Sequence, residues 1–243
     1  MATRDEDEKG LEQVVATGLK RWLGKARDAV MRPWRQFAMQ PDPVGVFQTQ
    51  QDWNDEVDTI LTRVGRIAEG AWNEAGGPPV SRHAFVMAQL AQTDNFLVRI
   101  PDEVYNLVFA EITDAVNAGA SADQVASKVD TVLDYSGSER WPNRAQTIAR
   151  TEVTRAMNAG VQGAGAELAR VQGRVLTKRW VANHDERTRA AHRDADGQSV
   201  PFYQPFNVGG SSLMFPGDPS GAPDEVINCR CHMIIGSEGG PRG

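Results

Sequence analysis

The sequence predicts a mainly α-helical N-terminal region followed by a small, loop-rich α+β domain at the C-terminus. Over the first two-thirds of the chain, apolar residues recur every three or four positions, which is the spacing of helices that bury one face. After about residue 172, glycine and proline become dense and a short alternating pattern appears, as in strands joined by tight turns. With 40% apolar residues among 243, the chain can build a hydrophobic core.

Segment 1–40 is predicted to be an amphipathic helix. An acidic cluster at residues 5–8 comes first, and negative charge favours a helix N-terminus. Pro41 and Pro43 then interrupt the helical pattern, because proline lacks the backbone N–H that a helix interior needs. The apolar stripe between these signals consists of Leu11, Val14, Val15, Leu19, Trp22, Leu23, Ala26 and Val30.

Segment 41–171 is predicted to be a further helical region. Its helices are expected around residues 57–72, 82–96, 102–118, 121–133 and 143–170. Ser121 and Gln124 form a capping box, in which each side chain satisfies a free backbone N–H at the helix start. The last helix carries small residues on one face, so another backbone is expected to pack closely against it. These small residues are Ala156, Ala159, Gly160, Gly163 and Ala164.

Segment 172–243 is predicted to form the compact C-terminal domain. Side chains alternate between Val175 and Val181, as expected of a strand. Trp180 lies in this strand and is expected to pack against the loops, since a large aromatic supplies much of the buried area in a domain with little regular structure. Asp196-Gly197 and the segment around Asp218 are predicted turns.

Charge and composition exclude several classes of protein. The net charge of −6 and pI near 5.3 argue against a protein that mainly coats nucleic acid. Residues 140–193 nevertheless hold 11 Arg and Lys against four acidic residues, which indicates either a face with internal ion pairs or a local binding patch. No apolar run is long enough for a membrane span, and the acidic start is unlike a signal peptide. We expect a protein of the reducing cytosol without membrane contact.

Three pieces of sequence occur in a characteristic order. They are Ala149–Arg155 on the last long helix, Lys178–His192 with Asp196-Gly197, and Phe215–Asp218 followed by Asn228-Cys-Arg-Cys231. Together, over roughly residues 145–235, they resemble the phage Mu F-like family of head morphogenesis proteins, which includes SPP1-type minor head proteins. The resemblance implies a component of a tailed-phage virion that lies inside the head near the portal, and in the host cytoplasm during assembly. It also implies roles in head assembly and in DNA packaging or ejection.

The partners that the resemblance implies are the phage portal protein, the major capsid or scaffold protein and, weakly, phage DNA. Glu152 and Arg155 are spaced three apart and are predicted to form an ion pair that supports the helix or its docking. A functional alternative makes basic residues contact nucleic acid. Those candidates are Arg150, Arg155, Lys178 and Arg179.

Residues 185–192 are predicted to form a short helix whose side chains connect parts of the C-terminal domain to each other. Asp185 would cap it and place Arg189 and His192 on one face, with Arg187 in the same motif. In the segment that begins at Asn228, Arg230 is expected to point outward.

Cys229 and Cys231 would project to one side of an extended segment, which leaves two interpretations. They are predicted to be small buried residues that complete the core, and no cofactor is expected. A zinc site with His192 is the alternative, because two thiols and an imidazole are ligands that zinc accepts.

No catalytic residue is predicted, and we expect a binding protein, not an enzyme. The sequence contains no HExxH motif, phosphate-binding glycine loop or GxSxG motif. The alternative is a metal-dependent nuclease or another toxin-like enzyme carried on the same domain.

Overall fold

The computed structural model describes residues 3–173 and 175–237. Helices dominate as far as residue 172, and the strands and remaining short helices follow. The helices are α1 (Arg4–Phe37), α2 (Gln50–Glu74), α3 (Pro79–Leu97), α4 (Ile100–Asn117), α5 (Ala122–Leu133), α6 (Arg140–Gln172), α7 (Ala190–Asp194) and α8 (Pro223–Val226), and a 3-10 helix covers Pro43–Thr49. The predicted fold class, a mainly α region followed by a small α+β domain, is confirmed.

The strands form two small antiparallel sheets. They are β1 (Leu176–Val181), β2 (Ser199–Pro201), β3 (Phe206–Val208), β4 (Ser211–Leu213) and β5 (His232–Ser237). β1 lies between β2 and β5, while β3 pairs with β4. In the β1–β5 pair, Trp180 lies opposite Met233, so the tryptophan faces the core from the central strand.

The local signals in the sequence predict most of the long helices well. The capping box is present, with Ser121 Oγ accepting from Gln124 N and Gln124 Oε1 accepting from Ser121 N. Gly119 ends α4 in the left-handed region at φ +73°, which glycine adopts without strain. Helix α1 extends beyond the predicted apolar stripe and includes Pro33.

The chain divides into two compact units, each built from separate stretches of sequence. One unit comprises Met1–Leu11, Thr62–Thr93 and Thr147–Gly243, and the other comprises Glu12–Leu61 and Asp94–Gln146. We call them the motif unit and the helical unit. The boundaries predicted at residues 40 and 171 stay a prediction, and residues 238–243 of the predicted C-terminal domain lie outside the described residues.

The helical unit is organised around three buried tryptophans. Each indole N–H donates to a backbone carbonyl: Trp22 to Thr49, Trp53 to Leu97 and Trp141 to Val132, at 3.1, 2.9 and 2.8 Å. The rings of Trp22 and Trp53 lie 5.1 Å apart. These contacts bury large apolar surfaces without leaving a polar atom unsatisfied, which is the arrangement that stabilises a core tryptophan.

In the motif unit, the small face of α6 packs closely against α2, as predicted. A Cβ added at Gly160 would lie 2.6 Å from Ala71 Cβ and 3.0 Å from the Ala68 carbonyl oxygen. A larger side chain would therefore push the two helices apart. Within the described residues, no helix is long and apolar enough to cross a membrane.

Candidate functional site

The segment at residues 228–233 is attached to α6 by a row of polar side chains. Thr151 Oγ1 accepts from Asn228 N at 3.0 Å, and Thr154 Oγ1 donates to the Cys229 carbonyl at 2.5 Å. Both threonines are buried. Because Asn228 and Cys229 precede the edge strand β5, the threonines satisfy backbone groups that have no neighbouring strand at that point.

Asn158 continues this row and makes three buried hydrogen bonds. Its Nδ2 donates to the carbonyls of Thr154 and Cys231, at 2.9 and 3.1 Å, while its Oδ1 accepts from Met233 N at 3.0 Å. One side chain thus uses donors and acceptor together to fix the segment against the helix.

Arg4 attaches the start of α1 to the same place. Its guanidinium donates to the Arg230 carbonyl at 2.7 Å and to Thr154 Oγ1 at 2.5 Å. Burial lowers the pKa of Arg4. The attraction of Glu8 opposes that shift, and a guanidinium stays charged in proteins in any case.

Glu152 and Arg155 form a buried ion pair. Arg155 Nη1 lies 2.9 Å from Glu152 Oε1, and the side chains are 6% and 0% exposed. Thr93 Oγ1 donates to Glu152 Oε2 at 2.8 Å. Burial raises the pKa of Glu152, against the attraction of Arg155 and the hydrogen bond from Thr93. The predicted ion pair is present, in the interior of the motif unit.

Asp185 organises a tight loop, and the prediction that it caps a short helix is wrong. Helix α7 begins at Ala190 with Arg189 as its N-cap. Asp185 instead accepts from Arg187 N at 3.0 Å and from Thr188 Oγ1 at 3.1 Å, because an aspartate can close a turn as readily as start a helix. It also pairs with Arg230, which holds the pKa of the Asp185 carboxyl below its usual range.

The other predicted turn residues satisfy backbone groups within the domain. Asp196 Oδ1 accepts from Ala182 N at 2.8 Å, and Gly197 has φ +75°. Asp218 accepts from the backbone N–H groups of Met214 and Ser220, at 2.7 and 2.9 Å. Each of these side chains fixes the local chain direction.

Cys229, Cys231 and His192 converge in the core of the motif unit. All three are at most 2% exposed, and their candidate ligand atoms lie within 4.8 Å of one another. His192 Nδ1 is 3.3 Å from Cys231 Sγ and 3.7 Å from Cys229 Sγ, while Nε2 is 2.8 Å from Glu225 Oε2. Trp180 packs against His192, with ring centroids 5.6 Å apart.

Hydrogen bonding shifts the pKa values of the two thiols in opposite directions. The contact with Cys229, followed by that with His192, lowers the pKa of Cys231 below its usual range, although burial opposes the shift. The contact with Cys231, together with burial, raises the pKa of Cys229. Burial disfavours protonation of His192, but its contacts with Cys231 and Glu225 outweigh burial and raise its pKa. The cluster can hold one thiolate beside an imidazole.

Three of the four residues predicted to contact nucleic acid are instead paired with, or buried among, other residues of the protein. Arg150 Nε lies 2.9 Å from Glu8 Oε1, Arg155 pairs with Glu152, and Lys178 is fully buried. A phosphate cannot reach a buried ammonium or guanidinium, so the proposed DNA role does not fit Arg155 or Lys178. Arg179 is exposed, and its role stays a prediction. In this stretch, Arg144, Arg150, Arg155 and Arg170 each pair with a glutamate.

Lys178 is a buried lysine with an unusual environment. Its Nζ donates to the Met214 carbonyl at 2.7 Å and lies 5.7 and 5.1 Å from the ring centroids of Phe202 and Phe206. Burial lowers its pKa to about 8, against the attraction of Asp218.

The pKa of Lys178 predicts a pH-dependent stability. Between pH about 8 and about 10.5, the unfolded chain retains a proton that the folded chain has released. The free energy of unfolding should therefore rise with pH in this window. In Lys178→Met, we expect that rise to be smaller by on the order of 1–3 kcal/mol. Urea unfolding at several pH values would measure it, with Lys128→Met as the control for an exposed lysine. An equal slope in wild type and Lys178→Met would contradict this prediction.

Several residues that build the site were missed by the sequence analysis. Thr151, Thr154 and Asn158 occur at spacings of three and four on one helix, and that polar row is a usable signal. Glu225 lies in the short helix α8 and has no comparable signal.

A family model and several curated relatives match the chain. The model described as "Phage Mu protein F like protein" matches residues 106–234, more than half of the chain. The Minor head protein GP7 of Bacillus phage SPP1 is 31% identical over 138 residues, covering 56% of this chain and 42% of that protein. The NAD(+)–arginine ADP-ribosyltransferase EFV of Enterococcus faecalis is 29% identical over 172 residues, covering 68% of this chain and 34% of that protein.

The chain thus spans between a third and a half of the length of these two relatives. No solved structure matches. The matched family region contains the last two-thirds of α4, all of α5 and α6, and nearly all of the motif-bearing C-terminal segment. The motifs occur in the order that the resemblance requires, their residues lie in one unit, and the family model matches more than half of the chain. The chain therefore belongs to the phage Mu F-like family of head morphogenesis proteins.

Proposed function

We propose that this chain is a minor head protein of a tailed phage, bound near the portal inside the procapsid. There it assists head assembly and the packaging or ejection of DNA. The family match over residues 106–234 carries the proposal, and the likeness to a protein named as a minor head protein supports it.

Burial of the motif side chains supports binding in preference to turnover. Glu152, Arg155 and His192 are at most 5% exposed, and their contacts lie within the motif unit. Side chains that must act on a substrate need access to it. Glu152 instead pairs with Arg155 and accepts from Thr93 in the interior, and His192 contacts the two buried cysteines. The motif unit is thus a rigid module for docking.

An aromatic cluster in the helical unit offers a surface for the portal protein. Phe47, Tyr105 and Phe109 form it, with ring centroids 4.9 Å apart for the first pair and 6.0 Å for the second. Phe47 and Phe109 are 40% and 52% exposed. Exposed neighbouring aromatics are typical of protein interfaces because they bury large apolar area with little loss of side-chain entropy.

DNA is a weaker partner in this proposal. A chain with net charge −6 binds polyanions only through a local patch. Exposed Arg179 is the remaining candidate among the four residues predicted to contact nucleic acid, so DNA affinity should be low and fall steeply with added salt.

Co-purification with the portal protein of the same phage tests the proposal. We expect full-length chain to bind assembled portal, and the double variant Phe47→Ser/Phe109→Ser to bind at least about tenfold more weakly. Val80→Ser is the matched control, because Val80 is 89% exposed in the other unit. Counting copies per particle should give few chains per head. Wild-type chain that is absent from heads and does not bind portal would refute the proposal.

The likeness to a protein named as an arginine ADP-ribosyltransferase favours one enzymatic alternative. That relative is about three times as long as the matched part, so its activity can reside in sequence that this chain does not cover. Incubation with labelled NAD⁺ and an arginine-containing acceptor distinguishes a minor head protein without transferase activity from an ADP-ribosyltransferase. We expect no transfer of label, and transfer by wild-type chain would favour the enzyme.

A further inference from the structure

We propose that His192, Cys229 and Cys231 bind a zinc ion that joins α7 to the segment preceding β5. The inference is independent of portal binding, since it concerns how the motif unit is held together. It replaces the sequence-based expectation that the cysteines only complete the core.

The distances between the donor atoms match those around a tetrahedral zinc. With Zn–S near 2.3 Å and Zn–N near 2.0–2.1 Å, neighbouring sulfur and nitrogen ligands lie about 3.6 Å apart. His192 Nδ1 lies 3.3 Å from Cys231 Sγ and 3.7 Å from Cys229 Sγ. A small adjustment of the side chains would bring all three atoms to one ion.

The second nitrogen of the imidazole is already oriented for this role. Nε2 of His192 lies 2.8 Å from Glu225 Oε2, which leaves Nδ1 facing the two sulfurs. Metal-binding histidines commonly donate their other N–H to a carboxylate, which fixes the ring and strengthens it as a ligand. A histidine that merely filled space would not require a carboxylate on one side and two thiols on the other.

The backbone around the cysteines is fixed before any ion binds. Thr154 and Asn158 bond to the carbonyls of Cys229 and Cys231, and Asn228 adopts φ +58°. Asparagine tolerates this left-handed conformation better than most residues. A preorganised pair of thiols loses little conformational freedom when it binds a metal, which favours affinity.

The fourth ligand is a water molecule. A cavity of about 10 Å³ borders the three residues and is also lined by Asn183 and Asn228, and such a volume holds roughly one water. The Oδ1 atom of Asn228 is shielded from solvent and has no hydrogen-bond partner among the described residues. Three protein ligands and a water are the set found in catalytic zinc sites. Here the cavity of about 10 Å³ does not admit an organic substrate, so we assign the ion the role of holding α7 to the cysteine segment.

The donor set selects zinc among common ions. Two sulfurs and an imidazole favour a soft or borderline metal, whereas calcium and magnesium prefer oxygen ligands. Zinc has no redox chemistry of its own and fits four-coordinate sites. Binding would displace protons from the ligands and join elements that lie 37 to 39 residues apart in sequence.

Elemental analysis of full-length wild-type chain, purified from zinc-supplemented cells without chelator, is the direct test. We expect about one zinc per chain. Chain stripped with a chelator should bind Co²⁺, with a thiolate-to-cobalt charge-transfer band in the near ultraviolet and the d–d absorption of a tetrahedral site. Added zinc should remove both. Wild-type chain that lacks zinc and does not bind added zinc or Co²⁺ at micromolar concentration would overturn the proposal, and so would a different metal.

Variants locate the site. Cys231→Ser and Cys229→Ser should each lose the cobalt charge-transfer intensity of one sulfur and most of the bound zinc. His232→Asn is the matched control, because His232 is exposed and adjacent in sequence to Cys231, and it should retain the full zinc content. Zinc retained in both cysteine variants would contradict the assignment. The wild-type measurement still decides the proposal if a variant fails to fold.

Discussion

Glu152→Ala is expected to lower the free energy of unfolding by about 3–5 kcal/mol, the range for removing one partner of a buried ion pair. The substitution removes the carboxylate that Arg155 and Thr93 bind in the interior of the motif unit. The Arg155 guanidinium, with its side chain 6% exposed, would then lose the nearby negative charge that offsets its desolvation. Urea unfolding followed by circular dichroism at neutral pH measures the effect.

The same helix supplies a matched control for this prediction. Glu167 and Arg170 are also spaced three apart on α6 and form an ion pair at 2.6 Å, but the Arg170 side chain is 68% exposed. Glu167→Ala should therefore cause a much smaller loss, since water screens an exposed pair. Similar losses in both variants would show that helix-surface pairing, and not burial, determines the contribution of Glu152.

The double variant Glu152→Leu/Arg155→Met separates pairing from packing. Replacing both partners of a buried pair by apolar residues is often neutral or stabilising. We therefore expect the double variant to be more stable than Glu152→Ala. If it folds stably and still enters phage heads, the pair serves to maintain the fold. If it folds and is excluded, the substitutions have changed a surface of the motif unit that a partner contacts.

The sequence predicts the long helices because their signals are local. The capping box at Ser121 acts within three residues, and the small face around Gly160 follows the period of one helix. Such local patterns predict the folded conformation because the distant contacts favour the same conformation.

The details of the site depend on distant contacts, and local patterns do not determine those. Asp185 could cap a helix or close a turn, and its pairing with Arg230, 45 residues away, accompanies the turn in the folded protein. Glu225 reaches His192 across 33 residues. The zinc alternative depends on that contact, so spacing of the cysteines alone cannot select it.

Asn158→Ala is the second substitution expected to have a large effect, on the order of 4 kcal/mol. It removes the donor for the Cys231 carbonyl and the acceptor for Met233 N, both in the interior of the motif unit. A buried backbone group left without a partner costs roughly 1–3 kcal/mol. The helix itself should persist, because alanine favours helix more than asparagine does.

Asn143→Ala is the matched control for this substitution, since Asn143 lies on the same helix but is exposed. It should change stability by less than about 0.5 kcal/mol. Amide hydrogen exchange adds a local readout: in Asn158→Ala, the Met233 amide should lose protection more than amides in the middle of α6. If Asn158→Ala unfolds with the stability of Asn143→Ala, the row of polar side chains on α6 does not hold the cysteine segment. The attachment must then come from the pairing of β5 with β1 and from the apolar packing of Met233 in the core that contains Trp180.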